Sequence, residues 1–297
     1  MRILFTYILL TLALVQSSYS GESKILAEKI NSVIAPFHAQ IGVAVLHNEK
    51  HDSCVINNKY HYVMQSVYKF HLAVTVLNMV DEGKLSLNQQ VVIPKKELQQ
   101  DTWSPIADKY KNSDATLTVR EILSYTISQS DNIGCDVLFK LVGGTKVVHN
   151  YMKQLGITNV AIKATEQQMH ENGAKAYTNW TTPSSAIEIL QKTYTTTILS
   201  ESSKKELWKM MEETTTGPKR IKGLLPTNAV VGHKTGSSGQ DSHGVSVATN
   251  DIGMITLPNG EHVFLAVFVN ESSEKPDTND EIIAKIARVV WDYYTTK

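Results

Sequence analysis

The sequence predicts an α/β (α+β) fold: an antiparallel sheet flanked by helices is built from both termini, and an all-helical domain is inserted between them. Three observations lead there. Strand-like runs cluster near the two ends, helical patterns dominate from Ser66 to about Met211, and the late strands are joined by connections short enough for antiparallel neighbours. The divisions that follow are a leader over residues 1–20, an α/β domain over 21–60 plus 216–297, and a helical domain over 61–215.

The leader comes first. Arg2 supplies a short positive region, Ile3 to Val15 is almost wholly apolar, and Ser18-Tyr19-Ser20 puts small residues where a signal peptidase reads. The mature chain then starts near Gly21. A bilayer core needs about 20 apolar residues; this run gives out sooner, and no later run is comparable. No membrane association is expected once the leader is gone, and no cysteine follows it to take a lipid anchor.

After Ser23, Lys24 to Ala35 reads as a helix stopped by Pro36, with Ile25, Leu26, Ile30, Val33 and Ile34 on one broad face. Ile41 to Leu46, rich in β-branched residues, and Asp52 to Ile56 read as strands. The far end mirrors this with runs at Ala229 to Thr235, Gly244 to Ala248 and His262 to Val269. The last two are divided by the turn signal Pro258-Asn259-Gly260. A final helix begins at Thr278, whose spacing to Glu281 is that of a capping box, and turns Ile282, Ile283, Ile286, Val289 and Val290 inward. No repeat or flexible linker separates the two parts, so they should pack closely around a cleft, the usual place for a small-molecule site.

Hydrophobic residues at 42% and charged residues at 20% are ordinary for a packed soluble protein. Lysine plus arginine equals aspartate plus glutamate at 29 each, and loss of Arg2 leaves 28 basic residues. Such balance argues against nucleic acid or an anionic membrane as the main partner, because those surfaces demand concentrated positive charge. Cys54 and Cys135 can pair in an oxidising compartment or stand as two buried small residues. The histidines show no metal spacing: His47 and His51 lack the intervening glutamate of a zinc helix, and no second histidine follows His170-Glu171 at the required distance. Neither a metal nor another cofactor is called for.

Three short motifs carry the chemistry. Ser66-Val67-Tyr68-Lys69 opens a strongly apolar helix ended by Gly83. Residues three apart share a helix face, so Lys69 can lie beside the Ser66 hydroxyl. The same spacing recurs in polar surroundings at Ser202 to Lys205 and Ser272 to Lys275, so alone it is weak. Ser130-Asp131-Asn132 offers a hydroxyl and an amide, although these residue types also favour plain turns. Lys234-Thr235-Gly236 ends a late strand, where lysine can hold an anion, threonine can bond a carboxylate, and glycine admits close approach of a substrate.

In this order and context the three motifs resemble the signature of class A serine β-lactamases and penicillin-binding proteins, over essentially the whole mature chain. The resemblance implies a periplasmic enzyme, monomeric, that opens the β-lactam amide and confers antibiotic resistance. It implies that Ser66 attacks the lactam carbonyl, Lys69 manages its proton and Ser130 passes a proton to the leaving nitrogen. Asn132 would bind the substrate's amide side chain, Lys234 and Thr235 would bind the substrate carboxylate or support Ser130, and the amides of Ser66 and Ser237 would hold the oxyanion. Glu166-Gln167-Gln168-Met169-His170 resembles the loop whose glutamate activates the deacylating water, with His170 a departure that still places a ring nitrogen near that water. Ala164 and Asn179 stand where the family commonly has an arginine and an aspartate, so both charges are missing together and the loop's path is open. Arg220 can replace the family's late arginine, since Gly244, Val245 and Ser246 stand where that residue is expected. Trp103-Ser104-Pro105 and Gln129 resemble the PER-type and VEB-type extended-spectrum branch, with Trp103 walling the cleft.

A periplasmic D,D-peptidase would share the first three motifs but release penicillin slowly, and Glu166 argues against it. A non-catalytic β-lactam sensor would stop at acylated Ser66. A Ser-His-Asp hydrolase is disfavoured because the chain lacks a Gly-x-Ser-x-Gly elbow.

Overall fold

α1 (Lys24–Ile34) is capped by the Ser23 hydroxyl, which accepts from the Leu26 amide at 3.3 Å. It buries Leu26 and Ile30 but leaves Ile25 59% exposed, a narrower apolar face than expected, because adjacent helical residues point about 100° apart. β1 (Gln40–His47) and β2 (Asp52–Ile56) then form an antiparallel hairpin running from Val43↔Ile56 to His47↔Asp52. This computed structural model describes residues 23–296, so the leader expected over 1–20 lies outside the described residues.

The chain continues through β3 (Tyr62–Val63), a 3₁₀ turn (Gln65–Val67), α2 (Tyr68–Asp81), β4 (Gln90–Ile93), α3 (Pro105–Tyr110), β5 (Ala115–Thr118), α4 (Val119–Ser128), α5 (Asn132–Val142) and α6 (Thr145–Gln154). β6 (Val160–Ala161), α7 (Glu166–Glu171), a second 3₁₀ turn (Gly173–Thr178), β7 (Trp180–Thr181), α8 (Pro183–Thr195) and α9 (Glu201–Glu212) follow. α2 is buried continuously from Tyr68 to Leu77, with α4, α5, α6 and α9 packed around it. This stretch is mostly but not wholly helical, a correction to the expected all-helical insertion. β4 pairs with β5, and β7 pairs with both β3 and β6. Strands this short show too little alternation to stand out between helices.

β8 (Val230–Ser237), β9 (Ser246–Thr256), β10 (His262–Ser272) and α10 (Pro276–Thr295) complete the fold. Both ends of the chain meet in one five-stranded antiparallel sheet, order β2-β1-β10-β9-β8, with β1 on β10 from Gln40↔Asn270 to His47↔Val263. β9 runs well past the expected end at Ala248, because Asn250 and Asp251 are strand residues whose polar groups are satisfied inside the protein. α10 starts two residues before Thr278, at Pro276, whose fixed φ suits a first helical turn; the expected capping box is not its start.

Strand alternation splits the sheet between two cores. Ala44, Leu46, Phe264, Ala266 and Phe268 face the helices around α2, while Val43, Val45, Val263, Leu265 and Val267 face α1 and α10. Cys54 and Cys135 are buried in different cores and are not bridged to each other.

Candidate active site

Gln65 has φ +46°, in the left-handed region, so the chain turns sharply between β3 and α2 and places half-buried Ser66 at the head of the buried helix. β8 presses against this turn: a Cβ on Gly236 would come within 2.4 Å of the Met64 carbonyl oxygen and 3.2 Å of the Ser66 nitrogen. The protein's own backbone therefore requires the glycine, a reason that the sequence did not show.

Lys69 is fully buried, and the surroundings that compensate its charge come from two other places in the chain. Its Nζ donates to the Ser130 carbonyl oxygen at 2.8 Å and to Asn132 Oδ1 at 2.6 Å, and lies 3.0 Å from Glu166 Oε1. Ser130 has φ +60°, which turns its carbonyl and its hydroxyl toward the two lysines. The bend is fixed by buried Asp131, whose carboxylate accepts from the Ser104 hydroxyl and from the amides of Ile106 and Gly134. The Asn132 amide nitrogen donates to Thr102 Oγ1 at 2.8 Å. From the opposite side, buried Lys234 donates to Ser130 Oγ at 3.0 Å and to the Thr235 carbonyl oxygen at 2.9 Å. Burial holds its ammonium well below the usual lysine range, and nearby Lys69 pushes the same way against Asp251 and Glu166.

Glu166 is the first residue of α7, and Asp136, which the sequence reading did not single out, anchors it. The Asp136 carboxylate accepts from the amides of Glu166 and Gln167, each at 2.8 Å. Burial raises this carboxyl to about 6, against those two hydrogen bonds. A usable signal existed: Asp136 lies four residues after Asn132 on the same helix face.

The loop's path is also defined at its neck. Buried Asn179 accepts from the amides of Lys163 and Ala164 at 2.7 and 3.0 Å and donates to the Ala164 carbonyl oxygen at 2.8 Å. A neutral side-chain amide thus clamps the segment where a charged pair was expected to be missing. His170 is exposed and lines the cavity in front of Glu166.

Two adjoining cavities open on Ser66. One of about 380 Å³ lies toward Glu166, His170 and Ser237, and one of about 310 Å³ toward Ser130, Thr235, Gly236 and the rim residue Trp103, whose indole donates to the Gln129 carbonyl oxygen. Thr216, not anticipated, shares a 2.6 Å hydrogen bond with the Thr235 hydroxyl. Arg220 is buried beside β8. It donates to Ser237 Oγ at 2.7 Å, to the carbonyl oxygens of Gly236 and Asn250, and to Asp280. Gly244, by contrast, brings no charge. Among the described residues no three His, Cys, Asp or Glu side chains gather as metal ligands, and no helix is long and apolar enough to cross a membrane.

A serine at the head of a buried helix, opening on the same cavities as Ser130 and Glu166, with two buried lysines on Ser130, is the arrangement of a serine hydrolase. The chain belongs to the beta-lactamase enzyme family, whose pattern matches residues 24–294, and it is a serine β-lactamase of class A. It is 44% identical to beta-lactamase VEB-1 of Pseudomonas aeruginosa, over 100% of this chain and 98% of that protein. To extended-spectrum beta-lactamase PER-1 of the same organism it is 45% identical, over 94% of this chain and 90% of that protein. The crystal structure of TLA-3 extended-spectrum beta-lactamase superposes with a TM-score of 0.89 at 50% identity, over 91% of this chain and 98% of that one.

Proposed function

We propose that this β-lactamase hydrolyses penicillins and cephalosporins, extended-spectrum cephalosporins among them, through an acyl-enzyme on Ser66. The observation that supports the reading is the Lys69 ammonium held between Ser130, Asn132 and Glu166, three residues that share with Ser66 the lining of the two cavities. Ser66 Oγ attacks the lactam carbonyl and its proton passes to the Lys69–Glu166 pair. The oxyanion is received by the amides of Ser66 and Ser237; losing one such donor costs about 3–4 kcal/mol. As the ring C–N bond breaks, Ser130 gives its proton to the nitrogen, helped by the Lys234 hydrogen bond, and regains one from the Lys69–Glu166 pair through Lys69 Nζ, which frees Glu166. Glu166 then takes a proton from the water that attacks the ester, and as the acyl C–Oγ bond breaks that proton goes to Ser66 Oγ, returning the free hydroxyl.

Asn132 holds the substrate amide, Lys234, Thr235 and Arg220 its carboxylate, Gly236 keeps β8 close to Ser66, and Trp103 and His170 form the rim. The larger cavity and the similarity to VEB-1, PER-1 and TLA-3 support the extended-spectrum reading. Residues 21–60 with 216–297 and residues 61–215 are the two domains flanking the cleft; the separate core over α1 and α10 supports this division. The leader motif supports cleavage near Gly21 and a periplasmic protein, and the family resemblance supports a monomer.

Purified protein is expected to turn over nitrocefin many times, and Glu166→Ala to trap an adduct on Ser66 visible by intact mass. Stoichiometric acylation of the wild type without turnover would overturn the reading.

A further inference from the structure

The Tyr177 ring is 49% exposed and lines the larger cavity, yet it is held in place: its hydroxyl donates to Glu271 Oε1 at 3.0 Å. Tyr177 belongs to the 3₁₀ turn that follows α7, whereas Glu271 lies on β10, so one phenol ties the Glu166 loop to the sheet across the cavity. Glu271 itself sits at φ +46°, an unfavourable backbone conformation for a side chain other than glycine. Its neighbours pair as Asn270↔Ala248 and Ser272↔Ser246, which sets Val247 opposite it, and Val247 lines the same cavity. Met169, Ala176, Val247 and the Tyr177 ring thus give the cavity apolar lining in addition to the polar groups of Ser66, Asn132 and Glu166. An apolar surface finished by a flat ring of fixed orientation suits a flat, apolar partner.

We propose that Tyr177 is a specificity-determining residue: its ring is the surface on which a planar aromatic acyl substituent of the β-lactam stacks, and Glu271 holds that ring. The proposal rests on the β-lactamase reading of the cavity. Aromatic pairs gain affinity beyond the area they bury, so the effect should appear in KM for substrates that carry a ring.

The test compares kcat/KM for benzylpenicillin, whose acyl group ends in a phenyl ring, with that for 6-aminopenicillanic acid, which has no acyl group. In Y177A, and in Y177L, which keeps apolar bulk without the ring, the ratio is expected to fall roughly tenfold, through KM for benzylpenicillin. In Y177F and E271A, which keep the ring but release it, the fall should be about threefold or less. Thermal melts of each variant accompany the kinetics. A ratio unchanged in both Y177A and Y177L overturns the proposal, and so does a Y177F loss as large as theirs. Failure of the wild type to turn over either compound would instead defeat the hydrolytic reading itself.

Discussion

The Lys69 ammonium lies 3.0 Å from Oε1 of Glu166, and no hydrogen-bond donor among the described residues is aligned on that oxygen. The contact is therefore ionic, and the lysine is what compensates a carboxylate with only 12% of its side chain exposed. Lys69→Ala is expected to lower kcat/KM for nitrocefin by about 10²–10⁴, the range for a lost acid–base group, and to lower the melting temperature because a charge is left unpaired. Steady-state kinetics within tenfold of wild type would show that the Ser66 proton leaves by another route.

The Asn179 clamp uses both ends of its amide, so its neutrality matters. In Asn179→Asp one carboxylate oxygen would replace the nitrogen that now faces the Ala164 carbonyl oxygen at 2.8 Å, turning attraction into repulsion. With Ala164 in place of a cation, that buried charge is unpaired, and the variant is expected to lose about 3–5 kcal/mol. Denaturant titration should also show the loss shrinking as the pH is lowered and the new carboxyl protonates. Adding Ala164→Arg should recover part of it; equal stability of the single and double variants would mean that the loop neck does not sense charge.

The legible part of the site was the part written as short motifs. Ser66 with Lys69, Ser130 with Asn132, and Lys234 with Thr235 sit at fixed offsets of three residues or fewer along the chain, so a local reading finds them. Asp136 escaped because an aspartate on an amphipathic helix looks like its solvated face, and only the return of the chain at Glu166 gives the carboxylate two amides to hold. β9 was cut short for the same reason. Asn250 looks like a strand end locally, but its amide donates to the carbonyl oxygens of Val63 and Met64, nearly two hundred residues earlier in the chain. Asn179 and Ala164 read as two lost charges, and their direct hydrogen bonding depends on a fold that brings them together.

Asp136 also sets a pH dependence of stability. Its carboxyl titrates at about 6 in the fold, against an ordinary 3.8 in the unfolded chain, so between those values the folded protein holds a proton that the unfolded chain has released. Stability from this residue is complete below about pH 4 and is lost as pH rises through about 6. Asp136→Asn keeps one acceptor for the α7 amides and removes the titration. Melting temperatures from pH 4 to 6 should then show the variant gaining on wild type with rising pH, while its weaker hold on Glu166 slows deacylation and lets acyl-enzyme accumulate. A pH-independent difference between the two proteins would place this carboxyl in the ordinary range.

His71 acts in the opposite sense. It is fully buried in α2, and burial lowers its pKa from 6.5 to about 4 against a contact with the Val67 backbone that works the other way. The unfolded chain therefore takes up the proton first, so stability is intact above pH 6.5 and is lost as pH falls toward 4. Each group acting alone contributes a slope of up to about 1.4 kcal/mol per pH unit, and the slopes have opposite signs over their shared window of about pH 4 to 6. Wild type should therefore be flatter there than either single variant. His71→Leu, which fills the site without a titrating group, should expose the loss on raising pH, and Asp136→Asn the loss on lowering it. The double variant should return to the shallow profile. A pH dependence of the melting temperature left unchanged by His71→Leu would mean that the imidazole binds its proton equally in the folded and unfolded chains, and that burial does not lower its pKa.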